Sequence, residues 1–353
     1  MKIIRQMDLK GHLLTAISYL IPIVCGAGFM IAIGMALDGD PATDLLAGSY
    51  SIWDVLAVIG GLGLGMLPVV ISTGIAYSIA GKPGIAPGFV VGLIANTISA
   101  GFIGGILGGF VAGYLALGII KFLKVPSWAK GLMPTLIVPL LSIFLGGMIM
   151  IYVIGTPISL FTQALTDLLN GLGSSSLLVF GAVVGLLSGV DYGGPINKTV
   201  FAFVLTLQAE GLNGPITALQ LVNTATPIGF GLAYFVAKLF GKNIYSTMEI
   251  ETLKTAVPMG VVNIVEGVIP IVMNDIVRGV FATAVGGAVG GAVSMTLGAD
   301  ATVPFGGVLM LPTMSNPMAG VLALLANILA TALTLALIKM KFIILCPKAR
   351  ITF

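Results

Sequence analysis

The sequence predicts an all-α polytopic membrane protein with about eight to ten membrane segments, including broken helices and re-entrant hairpins. Three observations carry this. Of the 353 residues, 58% are hydrophobic and only 8% charged, against roughly a quarter charged in an average soluble domain; no soluble fold could keep such a surface in water. Long apolar runs recur along the chain, and each crossing of about 30 Å of hydrocarbon uses about 20 of their residues. The longest runs are interrupted by Gly, Pro and polar residues, which half-helices and re-entrant turns need and straight spans do not.

The runs fall at 13–36, 54–79, 84–120, 132–155, 175–212, 215–238, 255–298 and 301–338. Those at 84–120, 175–212 and 255–298 exceed one crossing and carry the interruptions. The chain reads as a single membrane domain over 1–353, with 1–174 mainly scaffold and 175–338 mainly around a binding site. It has no room for a separate soluble domain. The opening MKIIRQMDLKGH precedes an apolar run too long for a signal peptide. It is expected to stay on the chain and lie at the interface, with Ile3, Ile4 and Met7 away from Lys10.

The net charge of +3 comes from 16 basic and 13 acidic residues, too few for a nucleic-acid surface. Their placement reports topology instead. Basic residues sit at 2–10, Lys82, 121–130, 238–254, Arg278 and 339–350, whereas 38–54 holds Asp38, Asp40, Asp44 and Asp54 without a Lys or Arg. Short loops rich in Lys and Arg stay in the cytoplasm, so both termini are expected there, provided that 255–276 dips into the membrane and returns. Cys25 and Cys346 form neither a disulfide framework nor a metal-ligand spacing and are expected to be packing residues. No metal or cofactor is expected. Small residues recur every fourth position at Gly101, Gly105, Gly109 and Gly113, and again at Ala282, Gly286, Gly290 and Ser294, ridges that let membrane helices approach closely.

Ionisable groups at membrane depth are costly, so each is a functional candidate by default. The first cluster is SGVDYGGPINKT, Ser188–Thr199, where Asp191, Asn197 and Lys198 surround Gly193, Gly194 and Pro195. Proline cannot continue the helix unaltered, and freed backbone groups beside a carboxylate and an amide suit a polyhydroxylated ligand. Asp191 can alternatively cap the following half-helix, and Lys198 can snorkel to the interface. The second cluster is VNIVEGVIPIVMND, Val262–Asp275, with Asn263 and Glu266 ahead of a Gly267 to Pro270 turn. Glu266, expected to be desolvated there, could accept a hydrogen bond from a sugar hydroxyl or take its proton as general base. The competing reading is a buried Glu paired with a lysine or with backbone donors. Asp275 and Arg278 are expected to form a structural pair. His12, the only histidine, opens the first run beside Thr15 and Ser18. The uncharged break Thr302–Thr313 is expected only to shape a hairpin. No P-loop, HExxH, GxSxG or CxxC pattern occurs.

These residues carry a resemblance. HLLTAISYLIPIV at 12–24, YSIAGKPGIAPG at 77–88, AGFIGGILGGFVAGYLAL at 100–117, MPTLIVPLLSIFLGGMIMIYVIGTPI at 133–158, DYGGPINK at 191–198 and VEGVIP at 265–270 are similar, in this order, to segments of the IIC component of fructose-class phosphotransferase-system permeases. The chain departs from that pattern at Phe305, where His is frequent, and at Asn263-Ile264-Val265, where a Thr precedes the Glu. The resemblance implies a sugar-translocating subunit in the bacterial cytoplasmic membrane. It would act as a homodimer and receive phosphate from a separate cytoplasmic IIB component fed by IIA and HPr, and would be inactive without them. It further implies that Glu266 holds the sugar hydroxyl to be phosphorylated, while Asp191, Asn197 and Asn263 bind others; Gly193, Gly194 and His12 are expected as further substrate contacts, with a structural role the equal alternative for His12. The rival reading from the residues alone is an ion-coupled secondary transporter in which Asp191 and Glu266 bind protons or sodium. An intramembrane enzyme is disfavoured by the lack of a nucleophile-base pair.

Overall fold

Backbone N–H and C=O groups in hydrocarbon must be satisfied within the segment, and the chain meets that demand with helix throughout. The structure, a computed structural model, describes residues 8–345 other than 47, 99 and 172. The interfacial segment expected over Ile3, Ile4 and Met7 and the packing role expected for Cys346 lie outside the described residues. The described residues contain fourteen α-helices. Among the described residues five helical stretches are long and apolar enough to cross a membrane, or six if one pair bent by 43° is a single span; the rest are shorter helices and the 26-residue Gly214–Leu239. By contacts the chain divides into one unit of Met1–Ile31, Asp40–Gly171 and Ala209–Gly211, and a second of Ala32–Gly39, Leu172–Gln208 and Leu212–Phe353.

The first unit holds most of α1 (Leu9–Ala36), then α2 (Ile52–Gly65), α3 (Leu67–Ala80), α4 (Lys82–Thr97), α5 (Gly101–Phe122), α6 (Val138–Ile149) and α7 (Gly155–Asn170). Ser51 caps α2 in a reciprocal box with Asp54, and the 43° bend between α2 and α3 falls just before Pro68. Gly81, at φ +68°, turns the chain back after α3. Gly84, Gly88 and Gly92 of α4 then lie against Ala76, Ser72 and Val69 of α3, a falling series that makes the two helices antiparallel. The predicted ridge packs on the same helix: Gly105, Gly109 and Gly113 of α5 lie against Pro68, Ser72 and Ala76, rising together and therefore parallel. A carbon added at Gly105 would lie 2.5 Å from the Pro68 carbonyl oxygen, so α3 is approached closely by a glycine series from each of two helices. The expected interruption of the 84–120 run is the short break between α4 and α5.

The second unit is built on α8 (Ser174–Gly189), α9 (Pro195–Ala209), α10 (Gly214–Leu239), α11 (Thr247–Val261), α12 (Ile269–Met273), α13 (Ile276–Leu297) and α14 (Pro317–Leu345). Its central helix is α13. One face meets α8 backbone to backbone, with Gly291, Gly287 and Thr283 against Gly181, Gly185 and Gly189. The neighbouring face, the second predicted ridge, receives Thr331 and Asn327 of α14 at Gly286 and Gly290. Both partners run antiparallel to α13. Helix α10 packs on α14 through Gly229 and on α11 through Gly231 and Pro227.

Two breaks in this unit are chain reversals. After α11 the chain turns at Asn263, held at φ +64°, and comes back along α11: Gly267 lies on Ala256, and Asn274 Nδ2 donates to Glu249 Oε1 at 3.4 Å. This is the re-entrant hairpin expected at 255–276. It starts and ends at the Ile276 end of α13. The α8 and α9 pair does the reverse, since α8 runs down α13 from Gly291 to Thr283 while the far end of α9 returns to Thr302, where Gln208 donates to its carbonyl at 3.3 Å. The two reversals therefore enter from opposite ends of α13.

Candidate functional site

The first tip is shaped by its own side chains. Asp191 accepts from the backbone N–H groups of Ile196 at 2.6 Å and Asn197 at 3.0 Å, both at the start of α9, where unpaired donors and the helix dipole favour a carboxylate. Tyr192 adopts φ +51°, uncommon for a residue other than glycine. Its ring packs edge-on against Phe230, and its hydroxyl lies 3.0 Å from Thr283 Oγ1. Asn197, only 5% exposed, donates both amide hydrogens, to the Ser188 carbonyl at 2.8 Å and to Asn223 Oδ1 on α10 at 2.9 Å.

The second tip is tied to the same helix. Asn263, 4% exposed, donates to Gln220 Oε1 at 2.5 Å and accepts from the Thr224 hydroxyl at 3.0 Å. One turn later a short 3-10 helix, Val265–Val268, carries Glu266. Its carboxylate lies over the first tip: a carbon added at Gly193 would sit 2.6 Å from Oε1 and 3.1 Å from Cδ. Gly193 is at φ +82°, so the absent side chain serves both the turn and the approach.

Glu266 is exposed on the surface of the chain, because it projects from a one-turn helix at a reversal where neither arm covers it. Among the described residues no donor hydrogen-bonds its carboxylate. The tips thus combine a rigid frame of satisfied amides with one carboxylate that remains available to a ligand. The depth of this contact follows from α13: Thr283 is seven residues from Ile276, about 10 Å at 1.5 Å per residue. The tips meet closer to the end from which the second hairpin enters.

The chain is 40% identical over 331 residues to the PTS system fructose-specific EIIB'BC component of Xanthomonas campestris, which covers 93% of this chain and 56% of that protein. It is 42% identical over 300 residues to the protein of the same description from Rhodobacter capsulatus, covering 85% of this chain and 51% of that protein. The PTS system fructose-specific EIIC component of Haloferax volcanii is 32% identical over 354 residues, 95% of this chain and 93% of that protein. This chain belongs to the fructose-class EIIC family. It spans little more than half the length of the EIIB'BC relatives. No family model matches the EIIC chain, and no solved structure does.

In this EIIC chain the two motifs read as DYGGPINK and VEGVIP are the two tips in contact. The fold brings together Asp191, Gly193, Gly194, Asn197, Asn263 and Glu266. His12 belongs to the first unit, buried with Nδ1 2.8 Å from Ser78 Oγ. Asp275 and Arg278 form the expected pair at 2.8 Å, and Lys339 approaches the same Asp275 oxygen at 3.9 Å. Two features escaped the sequence reading. Gln220, Asn223 and Thr224 stand in the run read as a plain span at 215–238, yet they hold both tips. The break at Thr302–Thr313, read as a hairpin shape only, is tied to the same helix, because Gln220 Nε2 donates to the Pro304 carbonyl. The signal available was spacing: positions 220, 223 and 224 share one face of a helix.

Proposed function

We propose that this EIIC chain is the sugar-translocating subunit of a phosphoenolpyruvate-dependent phosphotransferase permease, which binds a fructose-like sugar at the two tips and presents it to phospho-EIIB. The observation that carries the reading is the Glu266 carboxylate, set against Gly193 without an internal donor. A sugar hydroxyl supplies the missing donor. In transfer, the hydroxyl oxygen attacks the phosphorus held on EIIB, its bond to EIIB breaks, and Glu266 takes the hydroxyl proton. Asp191, Asn197 and Asn263, whose side chains are engaged within the fold, set the shape of the tips, and Gly193 and Gly194 bring backbone to the sugar.

The fused EIIB'BC relatives support a need for EIIB, with EIIA and HPr proposed upstream of it. Lys238 lies in the last turn of α10, Lys242 follows it, Lys254 lies on α11, whose Glu249 meets Asn274 just before α13, and Arg278 lies in the first turn of α13; these basic residues support a cytoplasmic face at that end. On that reading both termini are cytoplasmic, the host membrane is the inner one, and EIIB reaches the site over the shorter distance. The division of the chain near Gly171 supports assigning 1–174 mainly to a scaffold and 175–338 mainly to transport, within a homodimer. The ion-coupled alternative is less supported, since both Asp191 oxygens already accept backbone hydrogen bonds.

Glu266→Gln tests the assignment. In membranes supplied with EIIA, EIIB and phosphoenolpyruvate, sugar-phosphate formation per folded protein is expected to fall about a hundredfold or more, because the variant keeps shape but cannot take the proton. Near wild-type formation would remove Glu266 from the chemistry.

A further inference from the structure

Three separated segments, the two tips and the break near Pro304, meet one face of α10. Two of them meet it at a single side chain. Gln220, 1% exposed, uses both ends of its amide: Oε1 accepts from Asn263 at 2.5 Å, and Nε2 donates to the Pro304 carbonyl. The break is tethered again one turn earlier, where Thr217 Oγ1 accepts from the Ala301 N–H at 2.8 Å, and its Gly307 lies on the Val261 carbonyl at the end of α11. The second tip therefore rests between α10 and the Pro304 segment.

Asn263 is the pivot of that tip. It holds a left-handed backbone at φ +64°, which Asn tolerates better than most L-residues, and its side chain is pinned at both ends, to Gln220 and to Thr224. Glu266 follows three residues later on a turn too short to fix its own direction. Only a side chain with a donor and an acceptor at one end, and of this length, joins Asn263 to Pro304. Glutamate lacks the donor and would bury a charge; leucine has neither group and would leave two buried polar groups unpaired.

We propose that Gln220 is a positioning residue for Glu266: its amide bridge between Asn263 and Pro304 fixes the pivot of the second tip and so sets where the carboxylate stands over Gly193. The idea deepens the proposed function and rests on it for the chemical readout, but the placement itself can be measured without that reading.

The placement test uses the full chain with Cys25 and Cys346 replaced by Ser, Glu266→Cys introduced, and Gln220 either kept or changed to Leu. Labelling of position 266 by a small maleimide is expected to change in rate by about fivefold or more with Gln220→Leu. An unchanged rate in folded protein overturns the proposal whatever the protein transports. Should Gln220→Leu not fold, Gln220→Asn, which keeps the amide but is one methylene shorter, carries the same comparison. The chemical test is a double-mutant cycle on sugar phosphorylation. Gln220→Leu alone is expected to lower kcat by about tenfold to a hundredfold with a smaller change in KM. In the Glu266→Gln background it is expected to add less than about twofold, because a misplaced carboxylate no longer matters once it is gone. Multiplicative losses would reduce Gln220 to a general structural part and overturn the proposal. Full activity of Glu266→Gln alone would instead strike the functional reading, leaving the labelling result to decide on Gln220.

Discussion

Gly193 is where backbone conformation and chemistry meet most closely. At φ +82° a side chain is disfavoured by roughly 1–2 kcal/mol, and any Cβ there would push on the Glu266 carboxylate 2.6 Å away. Gly193→Ala is therefore expected to destabilise the protein modestly but to depress sugar phosphorylation by about tenfold or more; activity normalised to monodisperse protein separates the two effects. A matching control is Gly118, which has no atom within 4 Å of an added Cβ, so Gly118→Ala should change neither. Glu266, Asp191 and the Gly-Gly-Pro break were legible in the sequence because charge and proline are expensive in an apolar run. That Asp191 spends both oxygens on α9 was legible only as one of two alternatives, since a cap and a ligand look alike without distances. Gln220 and Asn223 stayed hidden because neutral amides are tolerated in membrane helices and stand out only when their partners are known.

Helix seams decide whether the tips are held at all. Along α8 and α13 the glycines touch backbone to backbone, an approach that small residues alone permit. Gly287→Leu is expected to lower the yield of folded protein severely, as judged by size-exclusion chromatography; normal yield would contradict the seam. The base of the second hairpin is fastened differently. Lys339, 7% exposed, lies 3.9 Å from Asp275 and 4.7 Å from the centre of the Tyr245 ring, while Arg278 bonds Asp275 at 2.8 Å. Asp275→Asn removes the carboxylate that Arg278 bonds and Lys339 approaches, leaving Glu249 as the nearby anion, and is expected to cost about 3 kcal/mol. Lys339→Met keeps the Arg278 pair and forfeits mainly the ring contact, about 2 kcal/mol. Thermal unfolding in detergent reads the order of the two costs, and the reverse order would contradict this account. The glycine ridges were legible from their spacing of four, but not which helices they join. The partners of Gly105 lie on α3 and those of Gly286 on α14, and long-range pairing leaves no local trace in the sequence.

For the whole molecule, 8% charge was too little for a soluble surface, apolar runs of about 20 residues or more pointed to membrane helices, and their interruptions pointed to re-entrant segments. Direction across the membrane rests on charge placement alone. Single cysteines at Asp40 and Pro126 test it, since an impermeant reagent added outside intact cells should label position 40 and spare position 126. Equal labelling would invert or dissolve the proposed topology, and with it the argument that EIIB reaches the tips from the nearer side. The central claim is that sugar moves through this chain coupled to its phosphorylation at the two tips. The most direct measurement supplies membrane vesicles containing the protein with a labelled fructose-like sugar, first with an imposed proton or sodium gradient and then with phosphoenolpyruvate and the purified relay ending in EIIB. The account predicts sugar phosphate trapped inside only in the second case. Accumulation of unmodified sugar driven by the gradient alone would contradict it.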